Sequence, residues 1–189
     1  MPNQYLNEVR IISGIFKGKK LNVLDLEGLR PTPEKVRETI FSWIGNRICQ
    51  ARVLDLFAGS GALGLEAVSR GAASVCLIEK DQKNAANLKS QLKSFKDLNA
   101  TLINADAINF LENSNDVFDI VFIDPPYKLN LISPSLELLL SRNLITQDSL
   151  IYVEMRNGSN ETVPGYEIIK EEVQGQVKYA LLKKSSFFF

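Results

Sequence analysis

Two short stretches of this 189-residue chain have residue types and spacings that packing alone does not demand. The first is DLFAGSGALG, residues 55–64, in which Gly59, Gly61 and Gly64 satisfy G-x-G-x-x-G. Glycines so spaced permit a tight turn and let backbone amides approach a ligand at a helix N-terminus. An acid, Glu79, stands 20 residues after Gly59, where an adenosine ribose would have its hydroxyls bound. The glycines alone do not separate a dinucleotide from S-adenosylmethionine. Asp55 tips the balance, because an acid in the ligand loop repels a pyrophosphate and attracts the ammonium of a methionine moiety, directly or through water. The structural alternative is a glycine-rich turn with a buried capping Asp. Asp106, in NADA, is an acceptor for an adenine amino group or a helix N-cap, and the two roles are compatible.

The second stretch is IDPPYK, residues 123–128. Pro125-Pro126 makes a rigid, extended turn without amide donors, so its carbonyls can face a ligand. Asp124 adds a second acceptor and Tyr127 a flat ring. Two acceptors and a ring suit an exocyclic NH2 on a flat base, whose lone pair is thereby aimed at an electrophilic methyl. Methyl transfer from a sulfonium is an in-line displacement governed mainly by positioning. Asp124 can also take up the proton. The structural alternative is a plain strand-ending turn.

The chain has no His, and this agrees with such a reaction. It removes Ser-His-Asp and Cys-His catalysis, imidazole bases and nearly all zinc sites, so no metal is expected. Two Cys, Cys49 and Cys76, cannot build a disulfide framework, which points to a reducing cytoplasm. No 18-residue apolar run and no basic-then-apolar leader are present, so neither a membrane span nor a secretory signal is expected.

These residues need elements to position them. Residues 9–24 read as a β-hairpin around Gly14 and Lys17-Gly18-Lys19. Residues 25–33 read as a loop. A helix follows, with Pro33 in its first turn, Thr32 as its cap, and apolar Val36, Ile40, Phe41 and Ile44. From residue 51, strands and helices alternate. ARVLDLF, ASVCLIEK, ATLINA, FDIVFID and SLIYVEM read as strands, separated by four helical stretches. This implies right-handed βαβ units and a mostly parallel sheet. YEIIKEEV and QVKYALLKK, joined by Gln174-Gly175, read as an antiparallel hairpin at the end of that sheet. The terminal Phe187-Phe188-Phe189 has no assigned role: sheet packing, oligomer contact or a trivial tail.

The zero net charge is an average over two unlike parts. Residues 1–50 hold eight basic and five acidic residues, and the remainder is acidic on balance. Arg10, Lys17, Lys19 and Lys20, with Arg30 in the following loop and Lys128 beside Tyr127, are candidates for holding phosphates near the cleft. A solubilising strand face is the bland alternative.

DLFAGSG paired with DPPY resembles the class I, S-adenosylmethionine-dependent amino-methyltransferases. With RIISGIFKGKKL, LRPTPEKVRETIFSWI, IEKD and the late GQVKYALL, the chain is similar over nearly its whole length to the RsmD family of bacterial 16S rRNA guanine-N2 methyltransferases. The resemblance implies an α/β, Rossmann-like class I methyltransferase fold. It would have a mostly parallel seven-stranded sheet, a C-terminal antiparallel hairpin and a small N-terminal β-hairpin extension. Residues 1–30 would form an RNA-contacting arm and residues 31–189 the methyltransferase domain. It implies methylation of one guanine (966 in the usual rRNA numbering) in the small ribosomal subunit or its assembly intermediate, by a cytoplasmic monomer. S-adenosylhomocysteine would be the product. Asp55, Phe57, Gly59, Ser60 and Gly61 would hold the methionine half of the cofactor. Glu79 would bind the ribose, Asp106 with Ala107 would contact the adenine, and Lys80 would also belong to the cofactor site. Asp124, Pro125, Pro126 and Tyr127 would bind the target guanine. Where the family often has a Gly before Asp106, this chain has Asn104-Ala105.

A guanine amine is paired inside a duplex, so the base must be unpaired or extruded and then stacked, with Tyr127 as the platform. Two rivals remain. D-P-P-Y also occurs in DNA adenine-N6 methyltransferases, but no segment here is long enough to supply a target-recognition insertion. An NAD(P)-binding oxidoreductase module would use the glycines and leave D-P-P-Y without a role.

Overall fold

The computed structural model describes residues 8–24, 31–159 and 161–186. Two three-residue strands, β1 (Glu8–Arg10) and β2 (Lys20–Asn22), pair antiparallel as a small separate sheet, with Val9 opposite Leu21. Helix α1 (Glu34–Ile44) follows and continues as a 3-10 turn through Ile48. It begins one residue later than its sequence suggests. Pro33 occupies the cap position and Thr32 is not the cap: its hydroxyl donates to Asp124 Oδ2 at 3.2 Å.

The rest alternates: β3 (Arg52–Asp55), α2 (Ala62–Ser69), β4 (Ser74–Glu79), α3 (Gln82–Leu92), β5 (Ala100–Asn104), α4 (Ala107–Asn113), β6 (Phe118–Ile123), α5 (Ile132–Ser141) and β7 (Ile145–Arg156). Two long strands close the sheet, β8 (Tyr166–Gln174) and β9 (Val177–Lys184). The strand order is β5-β4-β3-β6-β7-β9-β8, a seven-stranded Rossmann-like sheet, parallel except for β9. The expected C-terminal hairpin is present, but β9 lies inside it, antiparallel to both β7 and β8.

Apolar residues occupy consecutive strand positions because both faces of a parallel sheet are covered. Ile120, Phe122, Leu150 and Tyr152 face one core with α1, α2, α3 and the N-terminal hairpin. Their neighbours Val121, Ile123, Ile151 and Val153 face the other with α4 and α5. The strand order reverses between β3 and β6, and the carboxyl ends of the strands at such a switch point are where open α/β sheets bind ligands. Both DLFAGSG and DPPY leave the sheet at this point. Among the described residues, no helix is long and apolar enough to cross a membrane.

The hairpin is fixed to α2 rather than merely tethered to it. Glu66, with no exposed surface, accepts from the Ile12 and Ser13 amides at 2.8 and 3.0 Å. It also accepts from Arg70 Nε at 2.7 Å, and Arg37 Nη1 lies 3.5 Å away. Arg37, 2% exposed, donates further to the carbonyls of Thr32 and Arg10. Gly14 approaches so closely that a Cβ there would lie 1.7 Å from the Ser69 carbonyl oxygen, and its φ is +83°. Only glycine serves at such a position.

Candidate functional site

Asp55 ends β3, is buried, and accepts the Gly64 amide on Oδ2 at 2.9 Å. It thus caps α2 from within the sheet. Gly61, the residue before that helix, has φ +76°, and a Cβ there would meet Leu88 Cδ1 at 2.8 Å. The turn is pinned from the next strand. Gly59 donates its amide to Glu79 Oε2 at 3.0 Å. Asn84 on α3 donates to both the Gly59 carbonyl (2.6 Å) and Glu79 Oε2 (2.9 Å). Glu79 Oε1 accepts from Asp81 N at 2.7 Å. Ser60 is buried and Phe57 half-buried.

Asp106 caps α4, accepting from the Ile108 and Asn109 amides, and Lys80 Nζ sits 3.0 Å from its Oδ2. The Lys80 hydrogen bond holds the Asp106 carboxyl below the usual carboxylate range. The structure bears out the helix-cap reading of Asp106, with Oδ1 taking both amides and Oδ2 the Lys80 ammonium. Ala107 is buried at the start of α4.

Burial pushes the Asp55 carboxyl up to about 7, with Glu79 adding repulsion and the Gly64 amide opposing the rise. The folded value lies above the ordinary 3.8, so folding favours the protonated form. Stability contributed in this way is complete at pH 4 and is lost as pH rises toward 7. Asp55→Asn keeps an acceptor for the Gly64 amide and removes that loss. The ligand-free variant is expected to melt higher than the wild type at pH 8, by an amount reflecting roughly 2–4 kcal/mol, and to match it at pH 4. Calorimetry across pH 4–8 measures this, and equal melting temperatures at pH 8 would refute it.

Asp124 follows β6, half-buried, with the Thr32 hydroxyl on Oδ2. Burial, then the nearby charge of Glu154, raises its carboxyl well above the usual range, and Asp55 adds to this. Pro125 is buried and Pro126 exposed. Tyr127 opens a 3-10 turn, Tyr127–Leu129, and is 44% exposed. Its hydroxyl donates to Glu154 Oε1 at 2.6 Å. Glu154 sits in β7, one register step beyond the Ile123–Val153 pair. Glu154 and Tyr152 were not marked by their types or spacing, and Thr32 was marked only as a helix cap. The one available signal was an acid inside the apolar run LIYVEM.

The basic candidates divide. Arg10 and Lys17 are exposed on the hairpin, and Lys128 is exposed beside Tyr127. Lys17 lines a shallow groove with Ser13, Glu34, Glu38 and Arg70. Lys19 turns inward, donating to the Ser94 carbonyl with Nζ 3.8 Å from the Phe95 ring centroid. Lys20 pairs with Glu8 at 3.0 Å. Arg30 and Phe187–Phe189 lie outside the described residues. Among the described residues, no cluster of three or more His, Cys, Asp or Glu is placed to hold a metal ion.

The set fits a cationic, adenosine-bearing ligand. Asp55 offers a buried carboxylate behind the glycine turn, and Glu79 ends the next strand and Asp106 follows the one after, at the same end of the sheet. One further polar atom near the turn, Asn84 Oδ1, is buried and lacks a hydrogen-bond partner among the described residues.

The chain is similar to known proteins over nearly its whole length. The family model of conserved hypothetical protein 95 matches residues 9–183. Ribosomal RNA small subunit methyltransferase D of Escherichia coli (strain K12) is 41% identical over 181 residues, covering 95% of this chain and 91% of its own length. The protein of the same name from Haemophilus influenzae is 42% identical over 179 residues, covering 92% and 93%. The solved structure of the putative methyltransferase yhhF from Escherichia coli superposes with a TM-score of 0.85 at 40% identity, covering 95% of this chain and 99% of that one.

Proposed function

The chain belongs to the family of conserved hypothetical protein 95 that includes ribosomal RNA small subunit methyltransferase D, the RsmD family, and we propose that it methylates the exocyclic N2 amine of a guanine in 16S rRNA, guanine 966. The observation that carries the reading is the pairing, across the β3–β6 switch point, of a buried acid behind a glycine turn with an Asp-Pro-Pro-Tyr corner.

S-adenosylmethionine, when bound, supplies a methyl group on a positively charged sulfur. Asp55 faces the cationic methionine half, with Phe57, Gly59, Ser60 and Gly61 forming the turn around it. Glu79 Oε2 already accepts two hydrogen bonds and Oε1 one. A carboxylate has about four acceptor positions, so one is left for a ribose hydroxyl. Asp106 and Ala107 meet the adenine, and Lys80 holds Asp106 in place. At the other motif, Asp124 and the Pro125 carbonyl accept the two amine hydrogens, and Tyr127 stacks on the base. The amine lone pair is thereby held toward the donor, and Asp124 takes the proton the methylated amine sheds. Positioning of this kind accounts for the rate without an imidazole.

The RNA is held as part of the small subunit or an assembly intermediate. Residues 1–30 form the contacting arm, and Arg10, Lys17 and Lys128 are the cations best placed for phosphates. Lys19 and Lys20 belong to the same basic surface, with Lys19 donating to the Ser94 carbonyl and Lys20 paired with Glu8 in the free protein.

Transfer of tritiated methyl from S-adenosylmethionine to small subunits, free 16S rRNA and duplex DNA tests the reading. The expected result is N2-methylguanosine in the rRNA of subunits, with little label in naked RNA. N6-methyladenine in DNA would replace the reading with the DNA alternative. Thermal stabilisation by NAD but not by S-adenosylhomocysteine would replace it with an oxidoreductase module.

A further inference from the structure

We infer that Glu154 is the positioning residue of the base-binding corner: through its hydrogen bond to the Tyr127 hydroxyl it fixes the plane of the ring on which the target base stacks. The inference rests on the methyltransferase reading above and adds a residue to it.

The contacts form a chain from core to surface. Phe122 on β6 packs against Phe41 of α1 with ring centroids 5.7 Å apart, and against Tyr152 of β7 at 6.2 Å. Tyr152 has no exposed surface, and its hydroxyl donates to Glu154 Oε2 at 3.0 Å. Burial first, then the Glu154 charge, drives the Tyr152 phenol well above its ordinary range, so it stays protonated and remains a donor. Glu154, 7% exposed, is held by this bond and passes the constraint on through Oε1 to Tyr127 at 2.6 Å. Charge-assisted O–H···O⁻ bonds of this length are strong and directional. Tyr127 is half-exposed on a short turn, where a mobile ring loses rotamer freedom on each binding event, and its bond to Glu154 helps hold it in advance.

A buried carboxylate is costly unless something needs its charge. Here it has two consequences at the site. It orients the stacking ring, and it raises the proton affinity of Asp124, which adjoins it from the neighbouring strand. The groups facing Asp124 are Glu154 and Tyr152 of β7, Asp55 of β3 and the Thr32 hydroxyl before α1. Removing the Glu154 charge alone therefore lowers the pH at which Asp124 becomes an acceptor.

The test compares Glu154→Gln, Tyr127→Phe and the double variant in the methyl-transfer assay on small subunits. A nuclear magnetic resonance spectrum of ring-labelled tyrosines is recorded for each. Tyr127→Phe lies at the surface and folds even if Glu154→Gln does not. The expected result is a rise in the RNA KM of roughly tenfold in each single variant and little more in the double. kcat should fall less than KM rises. In Glu154→Gln only, the acid limb of kcat/KM should move to lower pH. The Tyr127 ring signal should shift on Glu154→Gln without any RNA present. If the wild type transfers no methyl to rRNA, the functional reading fails, and the ring signal alone then decides the positioning role. An unmoved ring signal, an unchanged KM in Tyr127→Phe, or additive effects in the double variant would overturn the inference.

Discussion

Glu66→Ala is expected to lower the free energy of unfolding by roughly 3–5 kcal/mol, the usual cost of leaving a buried charge without its partner. Glu66 has no exposed surface, and the partner it would abandon, Arg37, is 2% exposed. Two backbone amides, Ile12 and Ser13, lose their acceptor as well. An unsatisfied buried donor costs more than the bond itself contributes. The loss has a place as well as a size. These amides belong to the N-terminal hairpin, so the hairpin should loosen first. Denaturant unfolding gives the total, and amide exchange at Ile12, Ser13 and Ile15 gives its location. A second change, Arg37→Met, made on top of Glu66→Ala, should recover part of the lost stability, because it removes the orphaned charge. A midpoint unchanged in Glu66→Ala would show that the pair is held in water and not in the core.

Asp124→Ala is expected to lower the kcat of methyl transfer by on the order of 10²–10³-fold, the scale of losing one preorganised polar partner of a reacting group. Cofactor binding should survive, because Asp55 and Glu79 end other strands and Asp106 caps α4. Stability should not suffer. Burial and the Glu154 charge raise the Asp124 carboxyl well above its ordinary value, so its ionised form opposes folding, increasingly as pH rises. The variant should therefore melt no lower than the wild type at pH 8. Unchanged turnover would remove Asp124 from the reaction, and loss of cofactor binding would mean that the two halves of the site are not separable.

The readable parts of this chain were those with a local cause. Strands buried on both faces must be apolar at successive positions, so ARVLDLF and FDIVFID declared themselves. The Gln174-Gly175 turn needs a positive φ, and Gly175 has +62°. Other features depended on partners far along the chain. Glu66 lies in a helix that is otherwise apolar up to its final Ser69, and its amide partners are more than 50 residues away. Thr32 precedes a proline and a helix, which favours a cap, yet a carboxylate 92 positions later takes its hydroxyl. Lys19 and Lys20 look like a free basic patch in sequence, but one lies over a ring of α3's C-terminal extension and the other pairs across the hairpin. Charge can be counted from a sequence, whereas the groups that occupy it are set by the fold.

The place of β9 has a consequence for how the molecule is made. β8 precedes β9 along the chain, yet β9 takes the inner position and β8 the outer edge. Until residues 177–184 are available, the flank of β7 from Leu150 to Arg156 has no hydrogen-bonding neighbour on that side. An open strand flank invites pairing with other chains, and contacts between distant residues form slowly. Glu154 pairs directly with Tyr179 across this late seam. The strand that carries Glu154 therefore gains its second neighbour only once residues 177–184 have been made, so a nascent or clipped chain that already has its glycine turn would still lack a finished seat for the base.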